Sequence, residues 1–261
     1  MDLGLEGDAA LCIAASSGLG LASATTLARN GADVALCGRT PAHVEAAREQ
    51  VAAAGDGDVL AVEADITDAE EMAALVEETV GTFGGLDHLV TSAGGPPSGP
   101  FRETADADWR AAFELLVMSC VHTLRAADPH LREGGGTWTA VTSRSVREVA
   151  DALVLSNAVR RAVVGLVKTA SRELAPAVRS NALLPGAHET ARIEELIEDG
   201  IARGDYADYE AGYADWADDV PLDRIGEPRE FGDVVAFLAS DRASYVNGAA
   251  LAVDGGSLRS V

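Results

Sequence analysis

Residues Ala14-Ala15-Ser16-Ser17-Gly18-Leu19-Gly20 close a short apolar run at 9–15 and lead into a helical pattern at 21–30 that stops at Gly31. A strand that turns through small residues into a helix brings backbone amides and the positive end of the helix dipole to one point, with no side chain in the way. A pyrophosphate needs all of these conditions. Glycine-rich turns are common, so this one has weight only if the rest of the chain builds a parallel sheet around it.

The pattern further along meets that condition. Strand-like runs follow at 33–37, 58–63, 86–93, 137–142, 178–184 and 249–253. Helical patterns separate them: about 41–54 with Pro41 in its first turn, 69–82 with Asp68 as its expected N-cap, about 108–131, 154–174 and 227–238. Strands spaced by helices of this length predict βαβ units and a parallel sheet. Right-handed crossovers then wind the sheet both ways from its centre and put a ligand at the carboxyl ends of the strands. The expectation is an α/β chain forming a single doubly wound Rossmann domain over 1–261, with a parallel seven-stranded sheet flanked by helices. Residues 187–223 are rich in Asp, Glu, Tyr and Gly and carry no strand signal. They read either as a flap over the site or as a solvated acidic helix pair.

Composition narrows the partners. Twenty basic residues against 42 acidic ones give a net charge of −22, and Lys168 is the only lysine. Such a surface disfavours nucleic acid and anionic membranes. The acidic excess is spread along the chain, as expected of a halophilic protein, because the Debye length falls to about 3 Å at 1 M salt and self-repulsion is screened. The alternative is an ordinary acidic enzyme. No apolar stretch is long enough for a membrane span, and the first residues lack a basic signal region, so a cytoplasmic location is expected. Cys12, Cys37 and Cys120 lie apart in apolar runs and read as small core residues, and no metal site is expected.

Residues 14–20 resemble the TGxxxGIG turn of the short-chain dehydrogenase/reductase family, with Ala14 in place of the first glycine. Further matches follow in order: Asp65 and Ile66 in ADITD, Ser92-Ala93-Gly94 in place of NAG, NALLPG ending at Pro185 and Gly186, Thr190, and YVNG through VDGG at 245–256. The resemblance covers nearly the whole chain. It implies that Ala14, Ser16, Ser17, Gly18, Leu19 and Gly20 surround the phosphates of a nicotinamide dinucleotide. Asp65 and Ile66 then meet the adenine, Thr190 the carboxamide, and Ser92, Ala93, Gly94, Pro185 and Gly186 line the same groove. A carboxylate at the end of the second strand would favour a free ribose 2′-hydroxyl and repel a 2′-phosphate. This chain has Cys37-Gly38-Arg39 there, which favours NADP(H) over NAD(H), although Arg39 also reads as a surface residue.

The resemblance further implies a serine, a tyrosine and a lysine four residues on, together with an asparagine that positions a water relay. Ser143 matches the serine. Thirteen residues later the tyrosine position holds Ser156, the lysine position holds Arg160, and the asparagine position, seven after Trp109, holds Leu116. Ser143, Ser156 and Arg160 are therefore the catalytic candidates, with Arg160 also placed against the ribose. AGGPP at 93–97 and SNxxR at 156–160 resemble a subset of the family. Serine is a far poorer acid than a tyrosine phenol, and arginine cannot shuttle a proton. His188 and the flap residues Tyr206, Tyr209 and Tyr213 are candidates for a replacement proton donor. Arg144 and Arg147 hint at an anionic small-molecule substrate, or else at a salt-bridged surface. The leading expectation is an NADP(H)-dependent oxidoreductase interconverting a carbonyl and a secondary alcohol. The alternatives are a dinucleotide-binding sensor or silent subunit and, more remotely, a non-redox lyase resembling halohydrin dehalogenases. Family resemblance and the apolar pattern at 154–174 imply a homotetramer.

Overall fold

Strand β1 (Ala9–Ile13) is buried along its whole length. Its side chains alternate with the pleat: Leu11 and Ile13 enter one apolar cluster, Ala10 and Cys12 the other. A strand buried on both faces needs helices on both faces, which is why the run reads as continuously apolar. In the computed structural model, which describes residues 2–260, seven strands form one parallel sheet in the order β3-β2-β1-β4-β5-β6-β7. The remaining strands are β2 (Asp33–Gly38), β3 (Val59–Glu63), β4 (His88–Thr91), β5 (Thr137–Val141), β6 (Arg179–Pro185) and β7 (Ala250–Val253).

Helices α1 (Gly18–Arg29), α2 (Pro41–Ala52) and α9 (Pro228–Ala239) cover one face. The other face carries α3 (Ala69–Phe83), α4 (Asp106–Phe113), α5 (Ser119–Gly134) and α6 (Val154–Glu173). Asp68 caps α3 as its sequence predicts, accepting the backbone N–H of Glu70 at 2.8 Å and of Glu71 at 3.1 Å. Among the described residues no helix is long and apolar enough to cross a membrane. All three cysteines are free and buried, and burial raises each thiol above its usual range, Cys37 to about 11.

The helix expected at about 108–131 differs in one respect. It begins at Asp106, runs to Gly134, and between α4 and α5 its backbone widens into a π-helical turn at Glu114–Met118. A π turn accommodates one extra residue and rotates the side chains around it. Leu116 is thereby turned into the core at 2% exposure, while Leu115 faces the open cleft. The acidic segment at 187–223 contains two helices, α7 (Ala191–Arg203) and α8 (Tyr209–Asp218). They share a small apolar core of Ala187, Ile193 and Ile225 backed by Leu196, Tyr213 and Trp216.

Candidate functional site

The sheet order reverses at β1, and there the carboxyl ends of the strands open into a cleft of about 440 Å³. Such a reversal is where doubly wound sheets bind ligands. The turn at 14–20 forms its floor. Ser17 is the N-cap of α1 but makes no side-chain cap bond, and the first turn of the helix holds no acidic residue. The amides at this end of α1 are left without a side-chain partner and face the cleft. Gly20 sits so close to the turn that a Cβ would lie 2.6 Å from the Ala14 carbonyl oxygen, and at Gly38 a Cβ would lie 2.7 Å from the Cβ of Ser16. A bare cradle of this kind fits a phosphate-bearing group, and the residues present fit a dinucleotide. Ala14, in the position where the family turn has glycine, adopts the left-handed region with φ +49°.

Most of the residues expected from sequence converge here. Ser16, Ser17, Gly18, Leu19 and Gly20 line the cleft with Ala14, and Arg39 and Ile66 border it near the end of β2. Ser92, Ala93 and Gly94 form the wall after β4, and Pro185, Gly186 and Thr190 the wall after β6. Asp65 is the exception. Its neighbours Ala64 and Ile66 line the cleft, while its own carboxylate accepts the backbone N–H (2.9 Å) and hydroxyl (2.8 Å) of Thr67. Those bonds hold it below the usual carboxylate range.

At the far end of the cleft Ser143, Ser156 and Arg160 come together. The Ser143 hydroxyl oxygen accepts the backbone N–H of Ser145 at 3.1 Å, which leaves its own proton available. Ser145, which sequence reading missed, lies in a single helical turn after β5, and its hydroxyl is 3.2 Å from that of Ser156. Only the approach of α6 reveals this pairing. Arg160 is 8% exposed and donates to the carbonyls of Thr142 (3.2 Å) and Gly94 (3.3 Å). Burial, and secondarily Arg192, lower its guanidinium to about 10, so it remains a cation at neutral pH. Asn157 binds both backbone groups of Ala150, at 3.1 and 2.8 Å, and so fixes the loop that carries the serines to α6.

The other proton-donor candidates are placed differently. Tyr206 donates to Asp215 (3.1 Å) and Tyr213 to Glu189 (2.7 Å), Tyr209 is exposed, and none of the three lines the cleft. The 187–223 segment folds onto its own core, against which Tyr213 packs on the side away from the cleft lining. His188 does line the cleft, but its ring packs edge-on against Phe231 and its Nδ1 sits 3.3 Å from the Gly186 carbonyl. Burial pulls it below the usual histidine range, which makes it neutral at neutral pH. Arg147 turns away to the Ala250 carbonyl, and Arg144 reaches Asp219 beyond the end of α8 at 3.4 Å. The 187–223 segment is tied down twice more, by Ser98 to Asp199 and by Arg192 to the Pro96 carbonyl at 3.0 Å. Arg192 and Trp216 both line the cleft, and neither was singled out from sequence.

Comparisons with known proteins agree with this geometry. A family model described as enoyl-(acyl carrier protein) reductase matches residues 13–257. An uncharacterised oxidoreductase of Methylorubrum extorquens is 36% identical over 97% of this chain and 98% of its own length. The dehydrogenase/reductase SDR family member 4 of Caenorhabditis elegans is 30% identical, covering 96% of this chain and 95% of its own. The crystal structure of L-sorbose reductase from Gluconobacter frateurii, complexed with NADPH and L-sorbose, superposes with a TM-score of 0.94 at 30% identity over the full length of both chains.

Proposed function

The chain belongs to the short-chain dehydrogenase/reductase family, and from that premise we propose that it is an NADP(H)-dependent oxidoreductase interconverting a carbonyl and a secondary alcohol with altered proton-transfer groups. The observation that carries this reading is a single cleft with the bare phosphate cradle at one end and Ser143, Ser156 and Arg160 at the other. A bound nicotinamide would supply or accept the hydride. Arg39 borders the cleft at the end of β2, where a 2′-phosphate would need a cation, and the NADPH in the L-sorbose reductase structure supports the same preference.

The residues at the reacting end stabilise an oxyanion in place of delivering a phenolic proton. The Ser143 hydroxyl, freed by its bond from Ser145, donates to the substrate oxygen, and Ser156 donates beside it. Arg160 would hold the ribose through its remaining N–H groups, and it adds a buried positive charge, which lowers the energy of an alkoxide in this low-dielectric setting. The proton then comes from water, because neither serine nor arginine is a competent acid near neutral pH. Without the usual acid the hydride step is slower by about 10²–10⁴. A homotetramer through α5, α6 and the edge strand β7 accords with the exposure of Tyr245 and Leu251, and sedimentation would check it.

Nicotinamide absorbance over a panel of ketones and alcohols tests this reading. Turnover that prefers NADPH and falls with Ser143→Ala is the expected result. Tight cofactor binding with no turnover on any substrate would favour a silent binding protein instead.

A further inference from the structure

In a chain with 42 acidic and 20 basic residues, the cleft is lined by four arginines (Arg39, Arg144, Arg160 and Arg192) and one carboxylate, Glu195. Arg39 lies at the dinucleotide end. Of the three at the substrate end, Arg144 is paired with Asp219 and Arg192 with Glu195, whereas Arg160, among the described residues, has no carboxylate within ion-pair distance. This end therefore carries one buried positive charge in excess. A buried cation without a counter-charge is costly unless something else neutralises it.

Two further features point the same way. Gly95 leaves a notch that Arg192 fills: a Cβ at this position would overlap the guanidinium, lying 2.5 Å from Cζ. The guanidinium is held there by the Pro96 carbonyl and Glu195, with its Nε–H unused. On the next helix of the flap, Trp216 presents an indole N–H that is buried and has no acceptor. Unpartnered donors and a surplus cation lining the same cleft call for an anionic, oxygen-rich group. A neutral alcohol or ketone supplies no such group.

We propose that Arg192, seated in the Gly95 notch, is a specificity-determining residue that binds a carboxylate of the substrate, so that the site takes hydroxy and oxo acids in preference to neutral alcohols and ketones. The proposal rests on the redox reading only for the oxidation state of that substrate. Two measurements test it. The first is calorimetric affinity of the cofactor-loaded protein for malonate and glutarate against their dimethyl esters. The second is kcat/KM for pyruvate, acetoacetate and levulinate against their methyl esters.

The acids are expected to bind more tightly than the esters. Arg192→Leu should reduce that advantage about 10- to 100-fold, through KM and not kcat, with Arg192→Lys retaining part of it. Gly95→Ala, which displaces the guanidinium, should act in the same direction, while Gly81→Ala, whose Cβ meets open space, should leave the ratio unchanged. Acids and esters bound within about threefold of each other, or an equal loss on both in Arg192→Leu, would overturn the proposal. Arg192-dependent acid binding with no turnover would sustain it while removing the redox reading. Turnover of neutral ketones without an acid advantage would do the reverse.

Discussion

At the scale of single residues, Ala14 shows what the substitution in the glycine-rich turn costs. Its φ of +49° puts a Cβ into the left-handed region, at about 1–2 kcal/mol for a residue other than glycine. Ala14→Gly removes that strain but adds about 0.5–1 kcal/mol of unfolded-chain entropy. The expected net effect is a gain of up to about 1 kcal/mol, read as a Tm rise of roughly 2–4 °C by circular dichroism. An unchanged or lowered Tm would mean that the turn is relaxed. Arg39 tests cofactor choice: Arg39→Asp should weaken NADP(H) more than NAD(H) by about 1–3 kcal/mol at fixed salt. Equal affinities in the parent would contradict the assignment. Ser156→Tyr combined with Arg160→Lys tests the altered centre, since the cofactor cradle and Ser143 already fix the rest of the geometry. Carbonyl reduction should rise by up to about 10²–10⁴ if proton donation is the missing element, although Leu116, buried in the π turn, still leaves the water relay without its asparagine. Normal cofactor binding with no gain on any ketone would count against a carbonyl pocket.

At the scale of elements, the helix termini were legible where a short polar side chain sits before an apolar pattern. Asp68 is the clearest case, and Asp68→Ala should lower stability by about 1 kcal/mol while leaving cofactor affinity alone, as measured by denaturant unfolding. A loss of affinity in that variant would mean that α3 supports the adjoining Asp65–Thr67 turn more directly than its cap bonds indicate. The π turn was not legible. The residues at 114–118 continue an ordinary helical pattern, and only packing of α4 and α5 against α6 and the sheet determines where an extra residue is accommodated. The flap shows the same limit. Its acidic composition gives no sign that Ile193, Trp216 and Ile225 close a small core of their own.

At the scale of the whole molecule, the net charge of −22 is the dominant feature. Ion pairing does not change that total: among the described residues, five of the ion pairs join side chains three or four residues apart in sequence, and such pairs contribute little each. Like-charge repulsion therefore destabilises the folded state at low ionic strength. The unfolding temperature should climb from low to molar KCl as the Debye length shrinks. A flat or falling curve would remove the halophilic reading and leave the fold untouched.

The sequence by itself determined the sheet, its winding and the small-residue turn into α1, because those follow from local order: alternating strand and helix patterns, small residues at one junction, and spacing along the chain. The resemblance to the family also picked out Ser143, Ser156 and Arg160, which the fold brings to one end of the cleft. Tertiary structure alone decided which donors are left without acceptors and which charges lack partners. The serine pairing, the seat of Arg192 against Gly95, the placement of the tyrosines outside the cleft and the turn of Leu116 into the core all depend on residues distant in the chain. Contacts of that kind are set by how helices and loops pack, and no pattern within a single segment encodes them.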